Sequence, residues 1–330
     1  AATVGAAGLL QLAALAAPVR RDNLASPLRV SFDGGMRDFA RKAIPGMIAN
    51  SGPQLLIVAG AIVASASPSA VAWLYFANRL IELPLGMVGV AIGTVLVPEL
   101  SRAFNKSDTA ALANAESRGL ELAAGLALPA TFGLIVLSEP IVRVLFEHGA
   151  FTAADTKATA LALGCLALGL PAHILIKALS PAFFARGDTM TPLLAALKGI
   201  TVAIVLAVIC GWMFGVGGIA AAMALGAWSN AVILARSVAA TFGFSIDAEA
   251  RRRLPRIVLA ALLMGGTLWL AVRSLPIMAG AHSIFQAALL AIVIVSGIAI
   301  YTLLLLLFRV IDRTNMRAAL TRSGPGDLRA

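Results

Sequence analysis

The sequence predicts an all-α polytopic membrane protein of about nine transmembrane helices, and three observations carry that reading. Hydrophobic residues make up 60% of its 330 residues and charged residues only 13%, with a mean hydropathy of +0.92. A soluble domain carries about 25% charged residues, and a globule this apolar has too little polar surface to face water, so lipid must be its solvent. Apolar runs of the length that crosses ~30 Å of hydrocarbon as a helix, about 20 residues, occupy roughly 1–19, 43–66, 70–97, 120–138, 158–180, 193–214, 216–235, 254–272 and 284–308. None shows the ten-residue alternation of a transmembrane barrel. Finally, the loops between these runs alternate in charge: 21 of the 26 Lys and Arg fall in one set, and only Arg143, Lys157 and Arg273 in the other. Basic loops face the cytoplasm, which places the 20–42 loop and the C-terminal tail there. A missed or invented span would scramble the alternation.

The net charge of +10 follows from these loops. In a soluble protein it would point to nucleic acid; here no nucleic-acid partner is implied, and the basic face is expected to attract anionic lipid of the cytoplasmic leaflet. Cys165 and Cys210 lie inside apolar runs and suit neither a disulfide framework nor a metal site. The chain opens Ala-Ala-Thr, without Met or a charged n-region, so its first residues are read not as a signal peptide but as the interior of a longer chain.

Taken in order, the run at 1–19 and the basic linker at 20–42 precede a span at 43–66 whose first half mixes Pro45, Gly46, Gly52 and Pro53 with Asn50, Ser51 and Gln54. Such polar residues either line a cavity or hold neighbouring helices at about 0.6 kcal/mol per contact. The 70–97 span holds Asn78, Arg79 and Glu82. At ~1.5 Å per residue from Ala70, Arg79 lies about 14 Å into the helix, where an arginine costs roughly 2.5–3.5 kcal/mol. Asn78 and Glu82 are i,i+4, and Arg79 and Glu82 i,i+3, so the three share a face. Two readings stay open: a structural Arg79–Glu82 pair that neutralises itself, or the wall of an anion-recognising cavity. A guanidinium forks onto phosphate oxygens, which suits a lipid-linked phosphate or diphosphate. Pro84 removes a backbone hydrogen bond and should kink the helix beside the site.

The 120–138 span leads to an outer loop, then to the 158–180 span. Its last turns carry His173 and Lys177 at i,i+4; Lys177 either snorkels to the interface or adds an anion contact at the inner mouth. Gly89-xxx-Gly93, and Ala222-xxx-Gly226 in the 216–235 span, permit close helix packing. His148, His173 and His282 are too far apart in sequence to suggest a metal set. No cofactor motif or nucleophile–base pair is visible, so the chain reads as a non-enzyme.

The stretch from Tyr75 to Ser101, YFANRLIELPLGMVGVAIGTVLVPELS, resembles the signature region of the MurJ (MviN) lipid II flippases. Three further stretches resemble that family in the same order: FARKAIPG from Phe39, LFEHGAFTAADT from Leu145 and LSPAFFARGDTMTP from Leu179. The resemblance implies the fourteen-helix fold of the multidrug/oligosaccharidyl-lipid/polysaccharide exporters, in a bacterial cytoplasmic membrane. There, two six-helix lobes are followed by two helices that form a groove for the undecaprenyl tail. By that pattern 1–19 is the last helix of a first lobe, 20–42 a cytoplasmic linker, 43–242 the second lobe, 243–310 the two extra helices and 311–330 a cytoplasmic tail. The rest of the first lobe would be a missing part of the same protein. Arg79 matches the family's cavity arginine and Glu82 an acidic position beside it, while Asn78 stands where Asp is common. The implied function is translocation of lipid II, the undecaprenyl-diphosphate-linked muropeptide, from inner to outer leaflet by alternating access, with the coupling ion unassigned. The alternatives are an exporter of polysaccharide lipids or drugs with the same fold, and a non-transporting truncated scaffold.

Overall fold

The computed structural model describes Leu10 and residues 34–96, 109–242, 248–274 and 284–310. The expected helix at 1–19, apart from Leu10, and the expected tail at 311–330 lie outside the described residues. The chain divides into two units, Ala1–Lys42 and Ala43–Ala330. In the first, the described residues from Gly34 onward are helical; the second holds everything that follows.

Helices α1 (Gly34–Asn50) and α2 (Gly52–Ala64) are bent by 55° where they meet at Ser51. The cause is local. Pro53, in the first turn of α2, has no N–H to give to the preceding turn. The Ser51 backbone N–H closes α1 onto Met47 and Ile48 instead, and the Ser51 hydroxyl donates to the Met47 carbonyl at 2.9 Å. The expected single span at 43–66 is therefore a broken one. Helix α3 (Pro68–Ala91) runs through Pro84 and ends in a π-helical turn, Ile92–Leu96. Helix α4 (Thr109–Val136) is followed by the short α5 (Ser138–Phe146), then by α6 (Ala153–Ala167) and α7 (Leu170–Ala185), which together make one long apolar crossing.

Helix α8 (Met190–Phe242) contains an apolar stretch of 51 residues. As one rod it would extend about 77 Å, more than twice the ~30 Å of hydrocarbon. Gly215 breaks it, with φ 60° and ψ −140°, a backbone region reserved for glycine. The two legs fold back on each other. A Cβ at Gly199 would sit 2.7 Å from the Gly226 carbonyl oxygen, one at Gly211 would sit 2.8 Å from Ile219, and Gly218 lies against the Cys210 backbone. The midpoints of these pairings fall between residues 212 and 215, so the stretch is an antiparallel hairpin and supplies both spans expected at 193–214 and 216–235. Among the described residues six helices are long and apolar enough to cross a membrane, or seven with α1–α2 taken as one bent span. Resolving the hairpin into its legs makes eight, against nine in the sequence reading, whose first lies outside the described residues.

Helices α9 (Ala248–Ser274) and α10 (Ile284–Leu307) pack against α4 around a core of their own, formed by Leu137, Ile257, Ala260, Met264, Val293 and Leu305. The main core lies among α3, α6, α7 and α8, with Leu163, Leu170, Ile174 and Phe183 fully buried. Two polar contacts tie α9 and α10 to α4: Arg253 Nη1 meets Glu121 Oε2 at 3.3 Å, and the Tyr301 hydroxyl donates to the Gly125 carbonyl at 2.8 Å. Tyr301→Phe keeps the ring and removes only that bond. It is expected to lower thermal stability in detergent by about 0.6 kcal/mol, the mean for an interhelical bond in a membrane bundle.

The turn before α8 lies outside the spans and is set by Asp188, whose Oδ1 accepts the backbone N–H of Met190 and of Thr191, each at 3.0 Å. Burial alone would raise its carboxyl, but the bonds from Thr191 and Met190 outweigh it and hold the group below its ordinary value of 3.8. The stabilisation is thus complete above that value and is lost as pH falls through the lower folded one. Asp188→Ala is expected to cost about 1 kcal/mol near neutral pH. The difference from wild type should shrink in acid, where protonation removes the same acceptor; melting curves at the two pH values check it.

Candidate functional site

Half-way along α3 the expected charged face is present. Arg79 Nη1 lies 2.7 Å from Glu82 Oε2, and Asn78 Nδ2 donates to Glu82 Oε1 at 3.0 Å. Both carboxylate oxygens are thereby engaged within one turn. The amide at 78 has a physical consequence: it donates to Glu82, where a carboxylate would repel it. The Arg79 side chain is 67% exposed and presents the rest of its guanidinium fork away from the bundle.

On the inward side, Gln54 of α2, Asn78 and Glu82 of α3 and His173 of α7 line one small cavity of about 30 Å³, closed by Met223 of the second leg of α8. That is room for water, not for a substrate headgroup. His173 Nδ1 is buried there and has no hydrogen-bond partner among the described residues. Asn50 and Ser51 do not line this cavity; they sit at the α1–α2 bend, exposed, with Ser51 bonded within its own helix.

The helix that carries His173 and Lys177 runs further than the expected span, which ended at 180. Helix α7 continues through Pro181 to Ala185, which leaves Lys177 about 12 Å from its end. Lys177 is turned toward α3. Its Nζ lies 3.5 Å from the Leu85 carbonyl, and a Cβ at Gly89 would come within 2.9 Å of it. Gly89 thus makes room for the lysine against α3.

Sequence reasoning missed the clamp that positions this helix. Arg143 on α5 lies 2.7 Å from Glu139 and 3.4 Å from Glu147, and the Thr156 hydroxyl donates to Glu147 at 2.7 Å. The Trp73 indole N–H donates to Asp155 at 2.8 Å, while Asp155 closes a capping box with Thr152 at the start of α6. Phe76 packs on Phe146 and Phe151 at ring separations of 4.8 and 5.5 Å. Trp73 and Phe76 fix the half of α3 that precedes Arg79. The signal was available, since Glu139, Arg143 and Glu147 are spaced i,i+4, but only Arg143 was read, as a basic residue of an outer loop.

Long apolar helices in a bundle, one doubled back as a hairpin and one carrying an arginine–carboxylate pair at mid-length, define a multi-pass helical membrane protein. The fold is similar to a solved structure titled "Lipid II flippase MurJ, inward closed conformation", with a TM-score of 0.68 and 25% identity, covering 85% of this chain and 57% of that one. It is also similar to "Crystal structure of MATE in the bent conformation", with a TM-score of 0.55 and 22% identity over 81% of this chain and 63% of that one, a likeness of fold alone. The family model described as "Lipid II flippase MurJ" matches residues 1–290. A "Probable lipid II flippase MurJ" of Rhizobium meliloti (strain 1021) is 37% identical over 303 residues, which cover 90% of this chain and 56% of the relative. One of Rhizobium tropici is 34% identical over 322 residues, 97% and 60% of the two chains. The chain belongs to the MurJ lipid II flippase family. It spans somewhat over half the length of these relatives.

Proposed function

We propose that the chain forms part of a flippase that carries lipid II from the inner to the outer leaflet of the bacterial cytoplasmic membrane by alternating access, with its C-terminus in the cytoplasm. The observation that carries this reading is Arg79: a guanidinium at mid-span, 67% exposed, with one nitrogen on Glu82. Its remaining donors match the oxygens of a diphosphate, and two parallel N–H···O bonds fix orientation as well as charge. Glu82 balances the arginine while no substrate is bound, which limits the cost of a lone cation at that depth. Asn78 and Gln54 line the water-sized cavity behind the pair, where they stabilise Glu82 when Arg79 turns to an anion. Translocation makes and breaks no covalent bond, so the chain's role is transport, not catalysis.

In this reading 43–242 is a six-helix lobe that rocks about the substrate site, 243–310 supplies two helices for the polyprenyl tail, 20–42 is a cytoplasmic linker and 311–330 a cytoplasmic tail. The basic loops meet anionic lipid on the cytoplasmic side. The test is a chimera in which this chain replaces the matched portion of the Rhizobium meliloti relative, expressed in cells depleted of their own flippase. Growth and outer-leaflet lipid II should be restored. A chimera present in the membrane at normal levels while lipid II accumulates in the inner leaflet contradicts the proposal and favours another cargo for this fold.

A further inference from the structure

A second site shares no lining residue with the cavity beside Glu82. The end of α4, the start of α5 and one face of α6 enclose a groove of about 470 Å³ that opens to the molecular surface, within the range of about 300–1,000 Å³ typical of ligand sites. One end is polar, with Lys157, Glu139 and Ser138; the rest is apolar, ending at Leu168. Along α6, Lys157 and Leu168 are about 16 Å apart at 1.5 Å per residue, which is the depth of one leaflet of a ~30 Å hydrocarbon core. Leu161 and Leu168 on its floor are 55% and 53% exposed. A Cβ at Gly164, between them, would meet nothing within 4 Å, so the glycine opens a notch that the protein leaves unfilled.

The polar end carries both signs of charge. Arg143 holds Glu139 Oε1 at 2.7 Å and so fixes its carboxylate at the rim, while Lys157 is exposed and pairs with no acid among the described residues. We propose that this groove binds a zwitterionic phospholipid with a primary amine headgroup. Its phosphate sits on Lys157, its ammonium on the Glu139 carboxylate, and one acyl chain lies along Leu161, Gly164 and Leu168. The chemistry selects this class. An anionic headgroup gains the lysine but is repelled by Glu139, and a quaternary ammonium has no N–H to donate to the carboxylate.

The test is native mass spectrometry of the protein in micelles holding equal amounts of phosphatidylethanolamine, phosphatidylcholine and phosphatidylglycerol. Phosphatidylethanolamine should be retained preferentially. Lys157→Glu should reduce its retention by at least about fivefold, as expected for losing one lysine at the headgroup. Gly164→Leu, which projects into empty groove and strengthens the helix, should displace it without loss of fold. In a Cys210→Ala background, maleimide labelling of Cys165, which lines the groove, should slow with phosphatidylethanolamine and not with phosphatidylglycerol. Equal retention of all three lipids, unchanged retention in both variants, or slow Cys165 labelling whatever the lipid overturns the proposal; the last assigns the groove to protein. Binding is read without translocation, so failure here leaves the flippase reading standing, and the reverse.

Discussion

Arg79→Ala in the chimera should abolish rescue of flippase-depleted cells. A hydrogen bond to a charged group is worth about 1.5–3 kcal/mol, so losing the guanidinium's contact with substrate phosphate slows translocation by roughly 10- to 150-fold. Arg79→Lys keeps the charge but not the planar fork and should also be impaired. Removing Arg79 strands the Glu82 carboxylate inside an apolar span, since the two are paired at 2.7 Å, and that alone could harm folding. The double variant Arg79→Ala/Glu82→Gln separates the effects. If Arg79 serves only to neutralise Glu82, the double variant regains function; if it contacts the substrate, the double variant stays inactive at normal membrane levels.

The largest structural effect is expected at Gly218. A Cβ there would collide with the carbonyl oxygen and carbon of Cys210. Both are backbone atoms of the opposite leg of α8, so no side chain can move aside. Gly218→Ala must part the legs near the Gly215 turn, and its cost should exceed the ~1–3 kcal/mol typical of overpacking. Gly226→Ala, whose Cβ would meet Ala203 Cβ at 2.5 Å and the Gly199 oxygen at 2.7 Å, should act similarly. Gly266→Ala is the control: its Cβ meets nothing within 4 Å, and an alanine there favours the helix by up to about 1 kcal/mol. Thermal unfolding in detergent should rank the variants Gly266→Ala above wild type and both α8 variants well below it.

Span positions were legible in the sequence because lipid imposes them residue by residue: an apolar run either reaches across the hydrocarbon or does not. The two runs at 193–214 and 216–235 are separated by one residue, and the need for a reversal there is met by Gly215, which takes a φ of 60°. The shared face around Arg79 was equally legible, since i,i+3 and i,i+4 neighbours meet on any helix, and Asn78 and Arg79 both contact Glu82. What spacing alone does not reveal is the rotation of one helix about its axis relative to the next. His173 was grouped with Lys177 along α7, yet packing turns it toward Gln54, Asn78 and Glu82 on two other helices. Lys177 was read from its distance to the end of an apolar run, but the helix outlasts the run by passing through Pro181. The Arg143 clamp was missed for the opposite reason. Its spacing was local and readable, but only the basic residues were sorted by loop, so Arg143 was counted in an outer loop without its neighbours Glu139 and Glu147, which α5 brings onto it.

The most direct measurement is the appearance of lipid II in the opposite leaflet of proteoliposomes containing the purified chimera, compared with its Arg79→Ala/Glu82→Gln variant and with empty vesicles. The account expects translocation by the chimera and a rate near that of empty vesicles for the variant at equal protein incorporation. Equal rates for chimera and variant would contradict the role assigned to Arg79.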